Sequence, residues 1–177
     1  MELSVAKKLI GRGVNSLGSH QVWADLGAGE GLFTSALVEL LPAGSIIIAI
    51  DKDEHALKRL SAGNVRSQVR AITADLNKLP ENLPQLDGIV MANSLHYIRD
   101  QVKFLEQLKI KFLSHSGVLV VVEYDLEKPN AWVPYPIGKR KLVALANDAG
   151  FTLEIFPESV HSRLNSSEIY SAALKPK

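Results

Sequence analysis

Residues 22–31 read Val-Trp-Ala-Asp-Leu-Gly-Ala-Gly-Glu-Gly. An apolar run meets Asp25, and glycines follow at positions 27, 29 and 31. Glycine tolerates positive φ and carries no Cβ, so a ligand can lie directly against such a turn. A second acid, Asp51, closes the next apolar run, Ser-Ile-Ile-Ile-Ala-Ile. A carboxylate about twenty residues beyond a glycine turn, at a strand end, is placed to accept hydrogen bonds from two ribose hydroxyls. In open parallel sheets, ligands bind beyond the carboxyl ends of the strands, where the strand order reverses. These residue types therefore suit an adenosine-type ligand at a sheet edge. A tight strand-to-helix turn alone also favours glycine, but that leaves both acids unexplained.

A dinucleotide site is the serious rival. Its fingerprint is G-x-G-x-x-G and it grips a pyrophosphate at a helix N-terminus. The spacing here is G-x-G-x-G, preceded by Asp25. A carboxylate at that point repels a pyrophosphate and attracts a cation, such as the amino group or sulfonium of S-adenosylmethionine.

Alkyl transfer from a sulfonium needs orientation and, at most, one base. Histidine gains and loses a proton around neutrality, which makes His96 a candidate base, with Tyr97 beside it. Glu123 and Asp125 close a later strand on the same edge. The plainer alternatives are a locally packed His96 and solvated carboxylates at the strand end. Trp132, Pro134, Tyr135 and Pro136 follow on a loop. Trp132 and Tyr135 could line an acceptor pocket, or the loop could simply cover the sheet. His20, His55, His96, His115 and His161 show no metal-ligand spacing, so no metal is expected. The chain has no cysteine. Disulfides, thiolate metal sites and cysteine nucleophiles are excluded, and with them the thiolate route to cytosine C5.

Alternating elements must position these groups. Leu3, Ala6, Leu9 and Ile10 recur at helical spacing and predict a short helix over 2–12. Strands are expected at 21–25, 45–50, 68–73, 86–91 and 118–123. Helices are expected at 32–41, 54–61, 100–113 and 139–149. Pro42-Ala43-Gly44 stops the first of these, Ala62-Gly63-Asn64 the second, and Gly150 caps the last. Prolines 129, 134 and 136 make 124–137 a loop. Strand-helix alternation implies a parallel sheet with right-handed crossovers and helices on both faces. Segments 151–157 and 168–174 are strand-like with a short connection, so they can pair only antiparallel. The sheet should end in a hairpin.

At 177 residues, 46% hydrophobic and 22% charged, the sequence suits one globular domain over 1–177 with no cap domain. Twenty basic and nineteen acidic residues give +1, which disfavours a nucleic-acid binder. There is no secretory pattern at the start and no membrane-length apolar run, so a cytoplasmic location is expected.

Asp25-Leu26-Gly27-Ala28-Gly29-Glu30-Gly31 resembles the first motif of class I S-adenosylmethionine-dependent methyltransferases. Ala49-Ile50-Asp51-Lys52-Asp53 resembles the acidic end of that family's second strand, and Thr73-Ala74-Asp75-Leu76 its third motif. Residues 86–97 resemble strand four and the loop beside the methyl group. Residues 117–123 resemble strand five, and Ala149-Gly150-Phe151 with the final hairpin resemble strands six and seven.

The resemblance implies a Rossmann-like α/β fold, a seven-stranded mostly parallel sheet in order 3-2-1-4-5-7-6 with strand seven antiparallel. It implies methyl transfer to a small molecule by direct displacement, leaving S-adenosylhomocysteine. Asp25, Gly27, Ala28 and Gly29 would line the methionine portion of the cofactor. Asp51 would bind the ribose and Lys52 would flank the adenine with its stem. Asp75 and Leu76 would define the adenine edge, and Asn93 would offer its backbone near the methionyl amino group. Lys52 can equally be a solvated surface residue, and Asp75 a helix N-cap. Asn93-Ser94-Leu95-His96 departs from the Asn/Asp-Pro-Pro-Tyr/Phe type of amino-methylating enzymes, which disfavours nucleic-acid bases. Alternatives are a cofactor-binding module without catalysis, a methyltransferase acting on protein or RNA with a partner subunit, or a nicotinamide-dependent oxidoreductase. A homodimer is left open.

Overall fold

Ile46–Ile50 and Val118–Val122 are apolar at every position. Such runs are stable only when both sheet faces are covered. The computed structural model, which describes residues 1–14, 19–60, 67–162 and 167–177, shows that covering. The strands are β1 (Val22–Leu26), β2 (Ile46–Asp51), β3 (Gln68–Thr73), β4 (Leu86–Ala92), β5 (Leu113–Tyr124), β6 (Phe151–His161) and β7 (Glu168–Pro176). They form one seven-stranded sheet in the order β3-β2-β1-β4-β5-β7-β6. The strands from β3 to β5 are parallel, and β7 runs antiparallel to both β5 and β6. The expected order and terminal hairpin are both present.

The helices are α1 (Leu3–Ile10), α2 (Leu32–Leu40), α3 (Glu54–Leu57), α4 (Gln101–Gln107) and α5 (Lys139–Asp148). Neighbouring strand residues feed opposite cores. Ile48, Ile89, Met91, Leu119 and Val121 pack with Phe104 and Leu105 of α4 and Leu142 and Leu145 of α5. Trp23, Ile47, Val90, Val120 and Val122 pack with Leu9 and Ile10 of α1 and Leu37 of α2.

Three boundaries differ from the pattern-based expectation. The helix expected at 54–61 is regular only over α3, where Asp53 accepts from the N–H groups of His55 and Ala56 as its N-cap; its expected stop at 62–64 lies outside the described residues. The fourth helix widens at Leu108–Phe112 into a π turn, and β5 starts directly at Leu113. Its pairing with β4 shifts between Leu86 and Gly88, so the first residues of β5 bulge. β6 runs through Pro157 to His161. Proline is tolerated there because β6 is an edge strand and its register slips between Ile155 and Ser159. Gly150 takes φ +73° just after α5, as its expected cap.

Candidate active site

The carboxyl ends of β1, β2, β4 and β5 meet on one edge, and the turn after β1 is their centre. The Gly27 and Ala28 N–H groups both donate to the Ile50 carbonyl at 2.8 and 3.0 Å, tying the turn to β2. Gly27 has φ +84°, and a Cβ there would run into the Ser94 side chain. Ser94 in turn donates its hydroxyl to the Leu26 carbonyl at 2.6 Å, so the loop after β4 is clamped onto this turn. Gly29 has φ +52° and open space where its Cβ would stand.

Asp51 ends β2 facing this turn. Its Oδ2 accepts from Gly29 N–H at 2.8 Å and its Oδ1 from Asp53 N–H at 2.9 Å. Each oxygen keeps further acceptor capacity, and the carboxylate is already oriented. Asp25 is 1% exposed. Its Oδ2 accepts from the Thr34 hydroxyl at 2.7 Å, at the start of α2. Burial lifts the Asp25 pKa to about 6, against the lowering effect of the Thr34 hydrogen bonds, and the Asp51 charge adds to the rise.

On the far side of β2, Asp75 accepts from the Asn77 N–H at 2.8 Å and caps a short 3₁₀ turn, Leu76–Lys78. That hydrogen bond holds its carboxyl below the ordinary aspartate range, and the nearby Lys52 charge adds to the effect. The N-cap reading of Asp75 is thus present. Lys52 is exposed and lies on the same edge. The Leu76 side chain reaches back towards Gly27.

After β4, Asn93 adopts φ +52°, the left-handed region that asparagine enters more readily than most residues. Its N–H donates to Val122 O at 2.8 Å, so its carbonyl is the backbone group left for a ligand. Its side-chain Oδ1 is buried with no hydrogen-bond partner among the described residues.

His96 is 1% exposed and Glu123 is fully buried. The Glu123 carboxylate accepts from the His96 N–H at 3.1 Å and from its ring Nδ1–H at 2.6 Å. Glu123 is therefore a paired interior carboxylate, which corrects the solvated reading of that position. The His96 ring lies 4.4 Å from the Tyr97 ring and 6.2 Å from that of Tyr124. Burial, followed by the Glu123 charge and Tyr97, raises the Tyr124 phenol, which therefore stays protonated.

Asp125 points elsewhere, accepting from the Lys139 N–H at 2.9 Å at the start of α5. The loop of Trp132 and Tyr135 packs through buried Val133 and Ile137. Asn130 Oδ1 accepts from the Trp132 and Val133 N–H groups, and Tyr135 N–H donates to His96 O. The Trp132 side chain is 80% exposed. The structure thus places Asp25, Gly27, Ala28, Gly29 and Asp51 at one turn, with Leu76 reaching towards it, and carries Asn93, His96 and Tyr97 on the loop after β4 that Ser94 clamps to it. It leaves Trp132 pointing to solvent. Thr34, Ser94 and Tyr124 escaped sequence reasoning. A threonine early in α2 and a tyrosine adjoining Glu123 were the only signals.

A family model described as a methyltransferase domain matches residues 24–119, from β1 into β5. The chain belongs to this family. Comparison with curated proteins gives no match. Among solved structures, an S-adenosylmethionine-dependent methyltransferase from Clostridium acetobutylicum superposes with a TM-score of 0.68 at 13% identity, covering 100% of this chain and 93% of that one. A TehB-like S-adenosylmethionine-dependent methyltransferase from Corynebacterium glutamicum gives 0.63 at 16% identity, with coverages of 98% and 88%. The Burkholderia thailandensis 1,6-didemethyltoxoflavin-N1-methyltransferase, solved with that compound and S-adenosylhomocysteine, gives 0.69 at 20% identity, with coverages of 98% and 77%.

The residues present fit S-adenosylmethionine, whose product S-adenosylhomocysteine is bound in the Burkholderia enzyme. Gly29 offers a bare backbone, Asp51 an oriented acceptor pair, and Asp25 a buried carboxylate with no cation among the groups that shift it. Among the described residues no helix is long and apolar enough to cross a membrane, and no group of acids and histidines could hold a metal.

Proposed function

We propose that the protein transfers a methyl group to a small-molecule acceptor by direct displacement. The observation that carries this is the Asp51 carboxylate, held by Gly29 and Asp53 N–H with acceptor capacity to spare beside an open glycine turn. S-adenosylmethionine, when bound, supplies a methyl carbon activated by its sulfonium. Asp51 would accept from the ribose hydroxyls, and Lys52, Asp75 and Leu76 would border the adenine. Asp25, Gly27, Ala28 and Gly29 would face the methionine portion. The Asn93 carbonyl would accept from the amino group. Asp25 places negative charge in a low-dielectric setting, where it favours a cationic ligand more than it would in water.

His96 is the proposed base. A carboxylate can only accept, so Glu123 fixes the proton on Nδ1 and leaves Nε2 to take a proton from an acceptor hydroxyl or amine. A small acceptor is supported by the near-neutral charge of the chain, by the Asn-Ser-Leu-His sequence after β4, and by the fold shared with an enzyme solved with a small heterocycle.

Isothermal calorimetry with S-adenosylhomocysteine tests the donor site. Saturable binding is expected, weakened by about 1–3 kcal/mol in Asp51→Ala through loss of charge-assisted hydrogen bonds. No heat at millimolar ligand, or equal affinity in the variant, overturns the assignment.

A further inference from the structure

We infer that the surface carrying Tyr97, Trp132 and Tyr135 docks on an anionic lipid bilayer. Tryptophan is on average a well-buried residue, yet the Trp132 side chain is 80% exposed. The fold holds it out in a fixed turn. Asn130 donates its N–H to Val133 O at 3.2 Å, and its Oδ1 accepts from the Trp132 and Val133 N–H groups. Buried Val133 and Ile137 pin this loop to the core, and prolines 129, 134 and 136 restrict its backbone further. Tyr97 and Tyr135 are exposed as well, and their backbones adjoin, because the Tyr135 N–H donates to His96 O at 3.1 Å.

Charge points to the occupant. Residues 97–103 and 125–141, the segments that carry these rings, hold six lysines and arginines against three acids, in a chain whose net charge is only +1. Two of those acids are engaged, Asp100 as the N-cap of α4 and Asp125 with Lys139. Arg99, Lys128 and Arg140 are exposed and have no ion-pair partner among the described residues. An anionic bilayer takes both features. Amphipathic Trp and Tyr rings settle at the headgroup level, and lysine and arginine are drawn to the negative surface. Stable peripheral attachment needs two such signals together. Protein partners seat their anchors in pockets, but these three rings line neither the cavity beside Asp125 and Lys139 nor the one between the start of α1 and the β6–β7 hairpin. A bilayer surface accepts a protruding ring without a matching recess.

Vesicle sedimentation tests this, with equal parts phosphatidylglycerol and phosphatidylcholine against phosphatidylcholine alone. The protein should sediment with the anionic vesicles and stay in solution with the neutral ones. It should be released near ~1 M salt, where screening cuts the reach of charge to about 3 Å. Trp132 is its own reporter, because the other tryptophan, Trp23, is buried; its emission should shift to the blue as vesicles bind. Trp132→Ala should weaken sedimentation roughly tenfold, and Lys128→Glu combined with Arg140→Glu roughly tenfold or more. Both variants alter exposed side chains, so their melting temperatures should match that of the unaltered protein. Equal sedimentation with neutral vesicles, sedimentation without a blue shift, or full binding by either variant overturns the proposal. Absence of sedimentation with anionic vesicles also overturns it and leaves the exposed rings to a protein partner. Calorimetry with S-adenosylhomocysteine reports on the donor site separately, so failure of either reading is told from failure of the other.

Discussion

Burial without a cationic partner pushes a carboxyl group towards its neutral form. Asp25 shows this, with its pKa lifted from 3.8 to about 6 by desolvation. Folded protein then holds a proton that the unfolded chain has released between those two values. The associated stability is complete below the unfolded pKa and is lost as the pH rises through about 6. Above that, the ionised carboxylate lowers stability by about 3 kcal/mol, taking 1.36 kcal/mol for each pKa unit. Asp25→Asn should remove most of that penalty while keeping an oxygen for Thr34. Its melting temperature should exceed that of the unaltered protein near neutral pH, and the gap should close under mild acid. S-adenosylhomocysteine affinity should fall by roughly tenfold, because a charged hydrogen-bond partner is lost. Thermal melts across pH with calorimetry check both halves. A variant that neither gains stability nor loses affinity shows that the buried charge serves neither purpose. Such a penalty, accepted at a residue of the proposed donor site, is where function outweighs stability.

Between elements, the legibility of the chain follows the range of the interaction. Alternating glycines, acids at strand ends and the hairpin spacing are local, and the sheet order follows from them through the resemblance. Tertiary pairings left no local trace. Glu123 reads as a strand-end acid, yet its carboxylate is taken by His96, twenty-seven positions away. The strand-like pattern covers only 151–157, yet the strand runs on to His161, with Pro157 absorbed at an edge position by a register slip. Trp132 and Tyr135 read equally as pocket aromatics or as a cover for the sheet, because the Asn130 turn and the burial of Val133 and Ile137 that set the loop leave no local pattern. The His96–Glu123 pair bridges the loop after β4 to the end of β5, and it makes a definite prediction. Nitrogen-15 spectra should show His96 as the Nδ1–H tautomer with Nε2 unprotonated, and Glu123→Leu should release that preference. With an acceptor in hand, His96→Ala should slow turnover roughly 100-fold. An Nε2–H tautomer in the unaltered protein removes His96 as the base.

Across the whole molecule, the last strand in sequence is not at the margin of the sheet. β7 lies between β5 and β6 and pairs with both. Chain termini usually tolerate removal, but the argument must rest on burial, and Ile169 to Leu174 are buried throughout. The Tyr170 hydroxyl donates to Ile137 O at 2.7 Å, and Lys139 pairs with Glu168 at 3.0 Å. The strand thus also secures the loop that packs against His96. Burying Ile169, Tyr170 and Leu174 contributes on the order of 1.5–3 kcal/mol each, which rivals the roughly 5–15 kcal/mol that separates a folded domain from its unfolded chain. Their loss would also leave β5 and β6 with unpaired edges, which are templates for aggregation. Deleting residues 168–177 should therefore abolish cooperative melting and S-adenosylhomocysteine binding together, although every residue of the proposed donor site remains. Circular dichroism and size-exclusion chromatography of the shortened chain provide the check. A monomer with a native-like spectrum and intact binding would mean that the parallel half of the sheet holds the site by itself.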